Sequence, residues 1–184
     1  SNVPATKHPL YFGCFLRKRL QSTRLRKRLF GQFYTPAPIV KLIAKLTIKT
    51  RNDRILDPAA GDGVFVEGVY KRLLELGASP NNAQKQIVAI EVDPEAYSRA
   101  KDRLSRVKIL NTDFFEVYLS KFNAIVGNPP YIEQREIGRK SAIRNAVLSD
   151  EKRIKMNARA GIYAYFIAHS AKLLNEDGLL CFVV

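Results

Sequence analysis

Arg54-Ile55-Leu56-Asp57-Pro58-Ala59-Ala60-Gly61-Asp62-Gly63-Val64-Phe65-Val66 is a short apolar run that stops at an acid, turns through two glycines and reopens as an apolar helical pattern. A strand, a turn and a helix in that order mark the first half of a parallel β-α-β unit. The glycines have a specific use there, because a backbone without Cβ lets a ligand come close. Outward from this point the periodicity predicts a helix at 38–47, strand 54–58, helix 63–76, strand 86–91, helix 94–104 and strands 107–110 and 122–127. A helix at 161–174 and a strand at 179–184 follow. Such alternation predicts an α/β domain with a mostly parallel sheet and helices on both faces. Residues 132–160 are polar, basic and without a clear period, which reads as a long functional loop.

Two further strand ends carry acids. The second strand runs into Glu91-Val92-Asp93-Pro94, and the third into Asn111-Thr112-Asp113-Phe114-Phe115. A carboxylate at the second tip suits two ribose hydroxyls, and one at the third tip suits an adenine amino group flanked by aromatic rings. Asp57 and Asp113 also read as ordinary loop caps, and the spacing alone fits either a nicotinamide cofactor or S-adenosylmethionine. The frame G-x-G-x-x-G begun at Gly61 has Val66 where a dinucleotide fingerprint has its third glycine. Clustered carboxylates repel a diphosphate but attract a sulfonium and an ammonium, so S-adenosylmethionine is the better fit.

The fourth strand ends in Gly127-Asn128-Pro129-Pro130-Tyr131. Consecutive prolines fix the chain in an extended form and remove N–H donors, leaving an array of acceptors. The Asn128 side-chain oxygen and the Pro129 carbonyl suit the two hydrogens of one exocyclic NH2. Tyr131 suits stacking on a base drawn out of its duplex. Pro-Pro alone would be read as a turn after a buried strand; the surrounding order favours chemistry.

Charge is unevenly distributed along the 184 residues, whose formal net charge is +14. Residues 1–52 carry 12 Lys or Arg and no Asp or Glu, residues 53–116 carry 9 against 11, and residues 117–184 carry 10 against 6. The acidic middle matches a cationic cofactor, and the basic flanks match phosphate. Residues 14–30 read as a basic amphipathic helix, and Phe33–Pro38 as an extended loop. Cys14 and Cys181 have no metal-ligand spacing and read as two reduced, buried thiols of a cytoplasmic protein. No metal site and no membrane span are expected, and no secretory signal is evident.

Taken in order, Gly31-Gln32-Phe33-Tyr34-Thr35-Pro36, Asp57 through Gly63, Glu91-Val92-Asp93-Pro94, Asp113-Phe114-Phe115 and Asn128-Pro129-Pro130-Tyr131 resemble the N6-adenine DNA methyltransferases of the gamma arrangement. The resemblance covers about residues 30–184 and implies a Rossmann-like S-adenosylmethionine-dependent methyltransferase fold, truncated after the fifth strand. It divides the chain into a basic amino-terminal helical extension, 1–30, and a catalytic domain, 31–184. A target recognition domain is expected on a missing carboxyl-terminal part. The implied reaction moves a methyl group from S-adenosylmethionine to the N6 of a flipped adenine in double-stranded DNA, within a restriction-modification system. Asn128, Pro129 and Tyr131 are implied to be catalytic. Tyr34 and Thr35 are implied to lie near the cofactor's methionine part, beside Asp57, Gly61 and Gly63. The resemblance puts Glu91 on the ribose, Val92 and Phe166 on the adenine faces, and Asp113 with Phe114 at that ring's edge. Phe166 reads equally well as core packing. The alternatives are a protein glutamine N5-methyltransferase, an RNA adenine or cytosine N4 methyltransferase, and an inactive cofactor- or DNA-binding subunit.

Overall fold

In β1 (Ile55–Asp57) and β2 (Ile87–Ile90) every residue is buried, the signature of strands covered on both faces. The computed structural model describes residues 35–130 and 162–183. Cys14, Tyr34, Tyr131, the expected helix at 14–30 and the 132–160 stretch lie outside the described residues. β3 (Lys108–Leu110), β4 (Phe122–Gly127) and β5 (Leu174–Phe182) complete a five-stranded sheet in the order β3-β2-β1-β4-β5. Each neighbouring pair is parallel.

Successive strand residues point to opposite faces, and each face has its own core. Ile55, Ile87, Ala89, Ile109, Ala124 and Val126 face one layer, formed by α1 (Ala37–Thr47), α2 (Val64–Glu75), α3 (Pro80–Lys85) and α4 (Pro94–Arg103). Leu56, Val88, Ile90 and Ile125 face the other, formed by α5 (Ile162–Lys172) and the 3-10 turn Phe114–Glu116. The order of strands reverses between β1 and β4, so the loops leaving their carboxyl ends diverge and open a cleft.

Four expectations change. α1 begins at Ala37 with Pro36 as its cap, so Pro38 belongs to the first helical turn and not to an extended loop; proline is tolerated there because those N–H groups have no helical partner. α3 has one buried residue, Ala83, and hence no apolar period to read. Its start was nevertheless marked by Ser79, whose Oγ accepts the Asn82 N–H at 3.3 Å, with Pro80 next. β5 pairs earlier than expected: Phe122 meets Leu174 but Ala124 meets Leu179, so Asn175–Gly178 bulge from the ladder. Gly178 is required there, since a Cβ would sit 3.0 Å from the carbonyl oxygens of Asn175 and Phe122. Cys181 is half-buried and not a buried thiol, because it lies on β5 at the edge of the sheet.

Candidate active site at the carboxyl edge of the sheet

The turn after β1 is held by its own acids. Gly61 and Gly63 have φ of +55° and +84°, the left-handed region that glycine enters without strain. A Cβ on Gly63 would meet Leu104 Cδ1 at 2.7 Å, so this glycine serves packing. At Gly61 a Cβ would meet nothing within 4 Å, so this glycine borders open space. The Gly61 N–H donates to Glu91 Oε2 at 2.7 Å, and the Asp93 N–H donates to Glu91 Oε1 at 2.7 Å. The Ala60 N–H donates to the Ile90 carbonyl at 2.8 Å. Glu91 thus clamps the glycine turn to the tip of β2. A diphosphate would find the Gly61 N–H already taken and a carboxylate behind it, whereas a cationic ligand meets favourable charge.

Asp57 is 1% exposed at the tip of β1. Its Oδ1 accepts the Ala59 N–H at 3.1 Å, while Oδ2 is buried with no hydrogen-bond partner among the described residues. Burial pushes its pKa up to about 8; the Ala59 hydrogen bond opposes this and the neighbouring Glu91 adds to it. Burial also holds Glu91 above its ordinary value, against the lowering effect of its two backbone hydrogen bonds. An orphaned, buried carboxyl beside a second acid is a site waiting for positive charge. The residues present therefore fit a sulfonium- and ammonium-bearing cofactor.

At the third tip Asp113 accepts the Phe115 N–H at 3.1 Å and so also acts as a cap. Asn111 Nδ2 donates to the Glu91 carbonyl at 2.7 Å and ties β3 to β2, a role that only the fold reveals. Val92 is 44% exposed on the rim. Phe114 and Phe166 are buried and stacked on each other at 5.1 Å, with Phe115 edge-on to Phe166. Their rings face one another beneath the cleft, which is the core-packing reading of Phe166. His169 meets Phe114 edge-on at 4.7 Å, and burial lowers its pKa.

The fourth tip lies against the first. A Cβ on Gly127 would meet Asp57 Oδ1 at 2.8 Å, so only glycine lets β4 end this close to the glycine turn after β1. Asn128 follows, its Nδ2 donating to Thr35 Oγ1 at 3.1 Å, and Pro129 is buried behind it. Thr35, Asp57, Gly61, Glu91, Val92, Asp113 and Asn128 thus gather along one edge of the sheet. The rim adds two pairs that sequence reasoning missed, Arg99–Asp62 at 2.8 Å and Arg103–Glu67 at 2.7 Å. Both join α4 to the glycine turn or to α2, and neither is visible without the fold. Among the described residues no group of three or more His, Cys, Asp or Glu is arranged to hold a metal. No described helix is long and apolar enough to cross a membrane.

Glu91→Ala is expected to weaken the apo fold as well as cofactor binding, since it frees the buried Asp93 N–H and the part-buried Gly61 N–H. Each hydrogen bond to a charged group is worth about 1.5–3 kcal/mol. A Glu91→Ala protein with unchanged melting temperature and unchanged cofactor affinity in calorimetry would remove both roles.

The chain shares this fold with solved structures, among them a putative class I S-adenosylmethionine-dependent methyltransferase from Listeria monocytogenes, which superposes with TM-score 0.62 at 17% identity, across 91% of this chain and 49% of that one. Residues 79–184 match the Eco57I restriction-modification methylase family, and the chain belongs to that family. It is 33% identical to the type II methyltransferase M.BstVI of Geobacillus stearothermophilus, across 83% of this chain and 33% of that protein. It is 30% identical to M.HincII of Haemophilus influenzae, across 86% of this chain and 28% of that one. The chain thus spans about a third of the length of these relatives. Among solved structures, a type I restriction-modification methyltransferase subunit from Streptococcus thermophilus superposes with TM-score 0.62 at 19% identity, across 83% of this chain and 34% of that one.

Proposed function

We propose that the protein transfers a methyl group from S-adenosylmethionine to the exocyclic N6 of an adenine extruded from double-stranded DNA. What supports this reading is the close approach of Gly127 to Asp57, which brings Asn128 beside the glycine turn that follows β1. Bound there, the cofactor supplies an electrophilic methyl on sulfur. Asp57 and Glu91 supply negative charge, with Glu91 also facing the ribose, and Asp113 accepts from the cofactor's adenine. Val92, Phe114 and Phe166 supply its apolar surroundings; the burial of both rings favours support from beneath over direct stacking.

The adenine amine is a poor nucleophile because its lone pair is delocalised into the ring. Asn128 Oδ1 and the Pro129 carbonyl accept its two hydrogens, which favours a pyramidal nitrogen with its lone pair directed at the methyl group. Tyr131 stacks on the base and offsets part of an unstacking cost of a few kcal/mol. No strong base would be needed: the nitrogen–methyl bond would form as the sulfur–methyl bond breaks, S-adenosylhomocysteine would leave as a neutral thioether, and the methylated, positively charged nitrogen would then give its proton to water. Transfer of label from methyl-labelled cofactor, followed by nucleoside analysis of the DNA, tests the reading. N6-methyladenine is expected; label on protein or RNA, or N4-methylcytosine, would overturn it.

Phosphate attraction should come chiefly from residues 1–52, with their 12 cationic and no anionic side chains. This 184-residue chain is expected to bind duplexes weakly and without sequence preference. With about four phosphate contacts, log affinity should fall against log salt with a slope of roughly −3.6. Anisotropy titrations on unrelated duplexes read this directly. Replacing Arg24, Arg26, Lys27 and Arg28 by Ser should flatten the slope; an unchanged slope, or a clear sequence preference, sinks the assignment.

A further inference from the structure

We propose that Thr35 is a positioning residue for Asn128: its hydroxyl oxygen accepts a hydrogen of the Asn128 carboxamide and so holds that group in place with its Oδ1 end turned toward the target amine. The inference rests on the reading of Asn128 as acceptor for the target. Asn128 Nδ2 lies 3.1 Å from Thr35 Oγ1, across 93 residues of sequence, and Thr35 is 5% exposed. A carboxamide carries donors at one end and an acceptor at the other. If it flipped, Asn128 would present an NH2 to an NH2 and the amine would lose its acceptor. With Nδ2 committed to Thr35, Oδ1 is directed away from it.

Thr35 is a stiff mount for this purpose. It precedes Pro36, which restricts its backbone to extended forms, and α1 starts two residues later. α1 is in turn locked to α2, where Val40 packs directly over Gly68 in a space that any larger residue would fill. The glycine turn leads into α2. One hydrogen bond therefore ties the β4 tip to the block that carries the cofactor turn. The resemblance places Thr35 by the cofactor's methionine part; the geometry gives its hydroxyl to the target side.

Thr35→Val keeps the shape and removes the acceptor, and Thr35→Ser keeps the acceptor. In the intact protein, Thr35→Val is expected to lower kcat on the order of 100-fold, as for a misplaced catalytic group, with cofactor Kd within about twofold. Thr35→Ser should restore kcat to within about threefold of the parent. Thr35→Val in an Asn128→Ala background should cost nothing further, because the pair acts as one unit. The side-chain amide of Asn128, assigned in 15N–1H spectra by its loss in Asn128→Ala, should shift and exchange faster in Thr35→Val. An amide signal unmoved by Thr35→Val would overturn the inference, whatever the activity. So would a rise in cofactor Kd with kcat intact, which would return Thr35 to the cofactor. A parent protein that methylates no DNA would sink the function proposed above, and the amide signal would still decide the Thr35 contact.

Discussion

Asn128→Ala in the intact protein is expected to lower kcat on the order of 10²–10³-fold, the usual cost of losing one preorganised polar group at a reacting centre. Cofactor Kd should stay within about twofold, because in the proposed reaction Asn128 accepts from the target amine and has no part in holding the cofactor. The direction of the split matters more than its size. The substitution removes the side-chain oxygen that accepts from the amine, and the Thr35 hydroxyl loses its partner at 3.1 Å. The fold itself should survive, since Asn128 lies beyond the last residue of β4 and its strand partners stay paired. Single-turnover kinetics beside calorimetry measures both quantities on one preparation. Equal losses of turnover and cofactor affinity would make the tetrapeptide a structural element, and retained turnover would end its catalytic assignment.

Asp57→Asn is expected to stabilise the unliganded protein at pH 8 far more than at pH 5, while removing most cofactor affinity. The Asp57 carboxyl is raised from 3.8 to about 8 by burial. A raised carboxyl contributes stability that is fully present below the unfolded value and is lost as pH climbs through the folded one. Over the roughly three units between pH 5 and 8 the loss is at most on the order of 4 kcal/mol, at about 1.36 kcal/mol per unit. For a domain of this size that is about 10 °C of melting temperature. Glu91, the charged group facing Asp57, is raised as well and adds a trend of the same sign. His169 is lowered, so its contribution is present above 6.5 and lost as pH falls, the opposite trend. Subtracting the Asn variant from the parent at each pH isolates Asp57, and an identical difference at both pH values would sink the claim. For the cofactor the sign reverses. Positive charge favours the ionised carboxylate, so parent affinity should climb toward pH 8 with release of a proton, seen as a buffer-dependent binding enthalpy.

The fold was legible because β1, β2 and β4 are short apolar runs that each lead into a polar residue and then a proline, with helical patterns alternating between the strands. Asp57, Gly61, Glu91, Asp113 and Asn128 were legible for a related reason. Each stands where a strand ends, and in a parallel sheet every such end faces the same edge. What sequence could not show was partnership. Glu91 was expected to serve only a ligand, yet both its oxygens also hold backbone N–H groups, one of them 30 residues away at Gly61. Thr35 and Asn128 meet across 93 residues, a distance no local pattern spans. α3 was missed because a short polar helix has no stripe to bury. The early start of β5 was missed because Leu174 was read as the end of the preceding helix and Asn175–Gly178 contain no apolar run.

The reversal of strand order between β1 and β4 has a bearing on how such a gene can change. Everything assigned to the cofactor from Asp57 to Phe114 lies on β1, β2, β3 and the loops that leave them; the target acceptor lies after β4. The two halves are joined side by side through the β1–β4 ladder and in sequence only by the short segment between the 3-10 turn and Phe122. A parallel ladder holds its register by hydrogen bonds, whichever half the ribosome makes first. A gene rearranged to encode the β4 half ahead of the β1 half would rebuild the same sheet, with the same tips adjacent, once a linker spanned the new junction. The order of these motifs along the chain is therefore not dictated by the ladder that brings their tips together.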